Sequence, residues 1–365
     1  MKPRVLIVGR SRYRLPLAGG LARKFDALRS EMDVRVLSSA QPGSQLRDET
    51  FRLVPRRESL DGPRFWAELP FRIWREIEAF QPSAVLAQSP YEAAAALVAR
   101  RGEPVILEIH GDWRTATRLY GSGGRELLAP VADRVALAAV RRVDAIRTIS
   151  TYTTELVRAA GVEPAATFPA FLDLDPFLGP PVPLPEQPSA LFVGVLERYK
   201  DVDGLAAAWH LAAPRLPGVQ LRIVGTGSRT HVVEELAGGL PSQTEWTPSV
   251  PNDEVPALLD AATALVLPSR SEGLGRIVVE AFCRGRPVVA TRVGGITDLV
   301  RDGENGLLVP PQDPAALAEA IVRVLSDREL AERLAAEARP SADAWVATPE
   351  DYARRTRELV EQVRR

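Results

Sequence analysis

The chain is expected to be an α/β protein built from two doubly wound domains. Short β-branched runs alternate with amphipathic helical segments along both halves of its 365 residues, the pattern of parallel sheets covered by helices. Between the halves lies Pro176-Phe-Leu-Gly-Pro-Pro-Val-Pro-Leu-Pro-Glu-Gln-Pro188, in which six residues lack an amide donor. Such a stretch holds neither helix nor sheet and reads as an interdomain linker, 176–188. Strand-like patterning then restarts at Ala190–Val193 and runs into Gly194. The domains are therefore placed at 1–180 and 190–340.

In the first half, strands are expected at Val5–Val8, Val34–Leu37, Ala84–Ala87, Val105–Ile109 and Ala145–Ile149. Helices are expected at Leu21–Ser30, Tyr91–Arg100, Glu126–Val140 and Thr153–Ala160. The segment Arg64–Arg75 reads as a helix on the sheet, interrupted at Pro70, with Phe65, Trp66, Phe71 and Trp74 facing inward. The second half continues with a strand from Leu221 into Gly225-Thr-Gly227, a helix over Pro251–Ala262 and a strand over Ala264–Leu267. Helices follow over Ala315–Leu325 and Asp327–Arg339, where Pro340 breaks the pattern. The tail from Pro349 to Arg365 is again helical, with Tyr352, Leu359 and Val363 on one side.

Composition is that of a soluble globular enzyme, 45% hydrophobic and 25% charged. No apolar run approaches the roughly 20 residues that span a bilayer, and the apolar start reads as a first strand rather than a signal peptide. The single cysteine, Cys283, can form no internal disulfide and is expected as a buried filler. A cytoplasmic location follows as the expectation. The net charge of −1 hides an asymmetry. Residues 1–180 hold 26 basic against 21 acidic groups, and residues 181–365 hold 20 against 26. A mildly basic first half suits an anionic partner.

The chemistry concentrates in Ser269-Arg-Ser-Glu-Gly-Leu-Gly-Arg-Ile-Val-Val-Glu280. After a strand, this run turns on Gly273, Leu274 and Gly275 and opens a helix, so its backbone amides can hold a diphosphate. Glu272 sits in the turn, and Glu280, eight positions on, sits in the helix. A carboxylate there can take two hydrogen bonds from vicinal hydroxyls, as acidic residues do for ribose in dinucleotide folds. Next come Arg286-Pro-Val-Val-Ala-Thr-Arg-Val-Gly294-Gly295-Ile-Thr-Asp298 and Asp302-Gly-Glu-Asn-Gly306-Leu-Leu-Val-Pro-Pro. This succession resembles the E-x7-E region of the retaining glycosyltransferases of family 4 (glycosyl transferases group 1). One departure is Asp298, where the family more often has Glu.

The resemblance covers most of the chain, tightly over Ala264–Leu325. It implies the GT-B fold, two doubly wound Rossmann-like domains facing an interdomain cleft, with the terminal helix (345–365) packing back on the first domain. It also implies transfer from a nucleotide-diphospho-sugar to a hydroxyl with retention. Glu280 would hold ribose hydroxyls, Glu272 sugar hydroxyls, and Lys200 the diphosphate, whose developing charge is the largest electrostatic demand of the reaction. The family has Arg after the strand-end glycine where this chain has Val195; Arg198 is the candidate replacement, a solvated loop charge the alternative. Gly225 and Gly227 resemble the family's glycine pair near the nucleotide, although Thr230 stands where a full G-x-G-x-x-G needs glycine. The loop Glu245-Trp-Thr-Pro lies where relatives contact the base. In the first half, His110 resembles the family's strand-end histidine that contacts the transferred sugar. Gly19 and Gly20 resemble its glycine-rich loop, whose backbone approaches the reacting centre on the donor and acceptor side. Ser150 is a cap or a ligand contact. Arg10, Arg12 and Arg14, in a loop after the first strand, could clamp an anionic acceptor.

No metal or other cofactor is expected: Asp173/Asp175 and Asp201/Asp203 form Asp-x-Asp triplets, but not in the setting that metal-dependent enzymes use. The expected partners are a nucleotide-sugar donor, either UDP- or GDP-linked, and a sugar, glycolipid or small anionic acceptor, with no nucleic acid. The aromatic and basic Arg64–Arg75 segment allows a peripheral contact with the inner membrane face as its second reading. Two alternatives stay open, a nucleotide-sugar 2-epimerase of related fold and a non-catalytic nucleotide-sugar binder. The broken G-x-G-x-x-G disfavours an NAD-dependent oxidoreductase.

Overall fold

The computed structural model describes residues 2–55, 61–119, 125–180 and 182–364. Two compact units form: one of residues 1–114, 127–173 and 347–365, the other of 115–126 and 174–346.

The first unit holds a seven-stranded sheet. Its strands are β1 (Arg4–Tyr13), β2 (Asp33–Ala40), β3 (Phe51–Val54), β4 (Ala84–Ala87), β5 (Val105–Ile109), β6 (Ala145–Thr148) and β7 (Ala166–Thr167), in the order β3-β2-β1-β4-β5-β6-β7. Neighbours pair in parallel, as crossover helices require. The short strands β3 and β7 were not among the sequence expectations. One sheet face packs on the helices Asp61–Phe80, Pro90–Ala99 and Ala129–Val140 through Leu69, Ile73, Val85 and Leu107. The other carries the helices Gly19–Glu31 and Pro349–Val363, joined through Phe25, Tyr352 and Leu359. Arg357 of the terminal helix pairs with Glu31 at 2.8 Å.

Two expectations need correction here. The helix Asp61–Phe80 runs through Pro70 without interruption. Proline removes one backbone hydrogen bond, yet Phe65, Leu69, Ile73 and Ile77 recur four apart on one buried stripe, and that burial outweighs the lost hydrogen bond. The aromatics of the helix divide: Phe65 is in the core, while Phe71 is 59% and Trp74 37% exposed.

The second unit holds a six-stranded parallel sheet, β8 (Ser189–Val193), β9 (Gln220–Val224), β10 (Thr244–Thr247), β11 (Ala264–Leu267), β12 (Val288–Thr291) and β13 (Gly306–Val309), in the order β10-β9-β8-β11-β12-β13. Glu245-Trp-Thr therefore belongs to a strand, not a loop, and Trp246 Nε1 donates to Gly225 O at 3.0 Å. Pro340 lies inside the helix Arg328–Ser341, one residue from its end. The proline-rich stretch begins in a 3-10 turn at Asp175–Phe177, against the expectation of no helix, and is anchored on this unit. Arg328 donates to Leu184 O and Pro185 O, and buried Arg286 donates to Pro183 O at 3.2 Å.

Candidate functional site

In each sheet the strand order reverses once, between β1 and β4 and between β8 and β11. Ligands of open α/β sheets bind outside the carboxyl ends of the strands at such a point. In the second unit, the loops leaving β8 and β11 meet there. The first tightens into a turn at Arg198–Lys200, closed by Asp201 in the left-handed region at φ 52°. Asp201 accepts from Arg270 Nε at 2.8 Å, and Arg270 N donates to Tyr199 O at 2.7 Å, so the two loops are tied together. Across that tie, Lys200 Nζ reaches Glu272 Oε1 at 2.5 Å, and Ser269 Oγ donates to the same oxygen at 2.8 Å. Both members of the pair are largely buried.

Backbone crowding holds Glu272 in place. Gly295 N donates to Glu272 O at 3.0 Å. A Cβ on Gly294 would fall 2.0 Å from Glu272 O, and one on Gly295 2.1 Å from Gly273 O, so only glycines allow this approach. Leu274 is buried, and Gly275 at φ 88° opens the helix Arg276–Cys283. Glu280 is buried within that helix and accepts from Arg276 Nε at 2.5 Å, one turn earlier. Cys283 is also buried, which pushes its thiol up to about 11; such a thiol is inert. Arg198 and Val195 are exposed on the β8 loop. Gly225, at φ 148°, abuts the carbonyl of Gly194, so the glycine pair serves close packing of two loops. Asp203 is held by Arg229, which outweighs burial and lowers its carboxyl.

The first unit places the remaining candidates around a different kind of chemistry. His110 follows β5 and is half-exposed; its Nε2 lies 3.4 Å from Glu108 Oε2. Gly19, at φ 57°, opens the helix Gly19–Glu31. Gly20 is required by a protein contact, since the Asp173 carboxylate fills the space of its absent side chain and pairs with Arg23. Ser150 caps the helix Thr151–Ala159 in a reciprocal box with Thr153. Arg10 and Arg12 are not in a loop: β1 continues to Tyr13 past an irregularity after Val8. The Arg10 guanidinium lies over Phe65 and Trp66, at 5.5 and 5.7 Å, and Arg14 donates to Pro42 O. Arg10 and Arg14 thus have separate settings.

Sequence reasoning missed three groups. Arg270 and Asp201 lock the loops that leave β8 and β11. Glu92 is buried beside Ser89 at the start of the helix Pro90–Ala99; burial pushes its carboxyl up to about 7, with Arg10 opposing. Glu108 and Arg147 form an ion pair at 1% and 0% exposure. The signal for that pair was a charge inside each of two otherwise uncharged strands, Val-Ile-Leu-Glu-Ile and Ala-Ile-Arg-Thr.

Comparison with known proteins places this geometry. Residues 181–340 match the family described as glycosyl transferases group 1, and residues 12–169 match the glycosyl transferase 4-like domain. Alpha-D-kanosaminyltransferase of Streptomyces kanamyceticus is 29% identical over 254 residues, 66% of this chain and 66% of that protein. A D-inositol 3-phosphate glycosyltransferase of Acidothermus cellulolyticus is 42% identical over 148 residues, 37% of this chain. The aligned stretch spans only 33% of that relative's length. Among solved structures, sucrose-phosphate synthase of Thermosynechococcus elongatus superposes with TM-score 0.81 at 21% identity, over 99% of each chain. An Anabaena protein solved with UDP and glucose gives 0.70 at 19%, over 98% of this chain and 99% of that one. The chain belongs to the group 1 glycosyltransferases of family 4 and has their GT-B fold.

Proposed function

We propose that this protein transfers a glycosyl unit from a UDP- or GDP-linked sugar to a hydroxyl of a glycan, lipid-linked or small anionic acceptor, with retention at the anomeric carbon. The observation that carries this reading is the meeting of Lys200 and Glu272 at the reversal point of the second sheet, with Glu280 buried in the helix that follows. Lys200, with Arg198 on the same turn, neutralises the leaving diphosphate. Glu272 orients sugar hydroxyls, and Glu280 takes the ribose hydroxyls. The backbone of Gly273–Gly275, with Gly225, lines the phosphates. In the first unit, His110 contacts the transferred sugar, the Gly19–Gly20 backbone lines the reacting centre, and Arg10, Arg12 and Arg14 supply positive charge for the acceptor. The Anabaena protein, solved with UDP and glucose, supports a uridine donor. The reaction is proposed to need no metal, because Asp201 and Asp203 hold Arg270 and Arg229.

A thermal-shift series with UDP, GDP, ADP and their sugars tests the donor. At 100 times its Kd, the true donor stabilises the fold by about 2.7 kcal/mol. Product anomeric configuration tests retention, and activity lost to EDTA and restored by manganese counts against the metal-free mechanism. Silence from every nucleotide would overturn the reading.

A second element of the proposal concerns location. Phe71 and Trp74 stack on each other at the surface of the first unit, centroids 5.7 Å apart. That pair favours a peripheral contact with the inner membrane face over the reading in which all four aromatics are core. No helix among the described residues is long and apolar enough to cross a membrane.

A further inference from the structure

Glu108 and Arg147 stand opposite one another in the β5–β6 register. Their side chains lie on the sheet face covered by the helices Gly19–Glu31 and Pro349–Val363, amid Tyr13, Phe25, Phe168 and Tyr352. An ion pair in such a layer contributes little to stability, since desolvation of both charges offsets their attraction. Two apolar side chains would fill the space as well. Yet most of its polar atoms are engaged, Arg147 Nε alone among the pair's nitrogens being buried without a hydrogen-bond partner. Arg147 donates to Phe168 O at 3.0 Å and Pro169 O at 2.8 Å, and its guanidinium lies 4.1 Å from the Phe168 ring centroid and 5.2 Å from that of Tyr352. Arg147 occupies Glu108 Oε1, and the other oxygen, Oε2, lies 3.4 Å from His110 Nε2. The carboxylate thus has one oxygen fixed by the core and one turned to the partly exposed imidazole.

We propose that Glu108, anchored by Arg147, is a positioning residue: it holds His110 with Nε2–H turned into the protein and Nδ1 presented outward as a hydrogen-bond acceptor for a substrate hydroxyl. The histidine ring has two distinct nitrogens, and the partner of one sets the state of the other. Burial raises the Glu108 carboxyl, but Arg147, His110 and Lys24 together outweigh it and hold the group well below the usual range. It therefore stays an acceptor across the working pH. The titratable groups around it are Arg147 from β6, His110 after β5, Lys24 from the first helix, Tyr13 from β1 and Tyr352 from the terminal helix. Tyr352 and Arg147 also bring the terminal helix to the same support, with Lys24 Nζ 5.0 Å from the Tyr352 ring centroid.

The role of His110 toward substrate rests on the proposed function, so the decisive readout uses the protein alone. The chain has three histidines, His110, His210 and His231, so 15N-histidine labelling with a His110→Ala control assigns the ring signals. The wild type should show His110 as a single Nε2–H tautomer when neutral. The double variant Glu108→Leu/Arg147→Met removes both charges together and avoids stranding one. It should fold as stably as wild type, yet show mixed His110 tautomers. In a glycosyl-transfer assay it should lose on the order of tenfold to a hundredfold in kcat, with KM little changed. If the double variant keeps the wild-type tautomer, the positioning role is wrong. Should it fail to fold, Glu108→Gln alone is read by the same signals. If tautomers shift while His110→Ala leaves turnover intact, positioning stands and the substrate role of His110 falls.

Discussion

In the second unit the charged groups of the site arrive on loops, Lys200 after β8 and Glu272 after β11, and meet across a tie made by Arg270 and Asp201. In the first unit the corresponding charges are set within strands, Glu108 in β5 and Arg147 in β6, with only His110 reaching past the strand end. Loop-borne charges can exchange partners when a ligand arrives. Strand-borne ones cannot do so without disturbing the sheet, and can act only by holding something else in place. On the proposed function, the second unit would supply binding and charge stabilisation and the first would supply orientation.

The sharpest break of that comparison is at the loop pair. Lys200→Met is expected to lower kcat/KM by about 10²–10³, the scale of losing one preorganised group that meets developing charge. Glu280→Ala should instead act mainly on nucleoside-diphosphate affinity, measured by calorimetry. Equal nucleotide affinity in wild type and Glu280→Ala would falsify the ribose assignment.

The backbone that holds Glu272 gives the next effect. Gly294→Ala places a Cβ 2.0 Å from a carbonyl oxygen at a residue with φ 51°, so it should cost roughly 1–3 kcal/mol and weaken donor binding together. Gly303, at φ 79° with nothing within 4 Å, is the control. Its alanine variant should cost only the backbone term, about 1 kcal/mol, and leave the donor untouched. Similar denaturant midpoints for both variants would show that crowding does not position Glu272.

Glu92 tests the first unit, where an acid whose burial outweighs the opposing charge of Arg10 should act on stability. Its carboxyl is raised from 4.5 to about 7 by burial. The folded state therefore binds the proton more tightly than the unfolded state. Stability from this group is full below pH 4.5 and is lost as pH rises to about 7. Glu92→Gln should be the more stable protein at pH 8, by about 1–3 kcal/mol, and little different at pH 4.5. Urea denaturation at the two pH values reads this directly, and a pH-independent difference would mean that the carboxyl is not buried as described.

The same contrast explains what was legible beforehand. The second unit was readable because its site is local: Ser269 to Glu280 is one contiguous run, and strand Ala264–Leu267 was placed to the residue. Long-range partners were not readable. Nothing in Gly20 announces Asp173, 153 positions away, and the two-residue β7 carries too few residues for a periodic signal. Pro70 misled because local propensity was weighed without the buried stripe on both sides of it. Arg10 and Arg12 misled because their charge suggested a loop where β1 continues.

The smallest expected effect sits on the outer face of the first unit. If Phe71 and Trp74 meet a bilayer, they lie on a helix with Arg64, Arg72 and Arg75, and Arg101 lies 5.7 Å from the Trp74 ring centroid. Several of these charges are already paired: Arg64 and Arg72 share Glu68, and Arg101 holds Glu78. Electrostatic attraction is therefore modest, and the aromatics must supply most of the affinity. Co-sedimentation with phosphatidylserine-containing vesicles should show weak binding at low salt that falls several-fold when charges are screened. The double variant Phe71→Ser/Trp74→Ser should abolish it with folding unchanged, because neither ring belongs to the core. Turnover of a water-soluble acceptor should be the same in this variant and wild type, while turnover of a lipid-embedded acceptor should fall. Binding that survives loss of both rings would mean that the arginines act alone, and binding to neither charged nor neutral vesicles would leave the stacked pair without a membrane role.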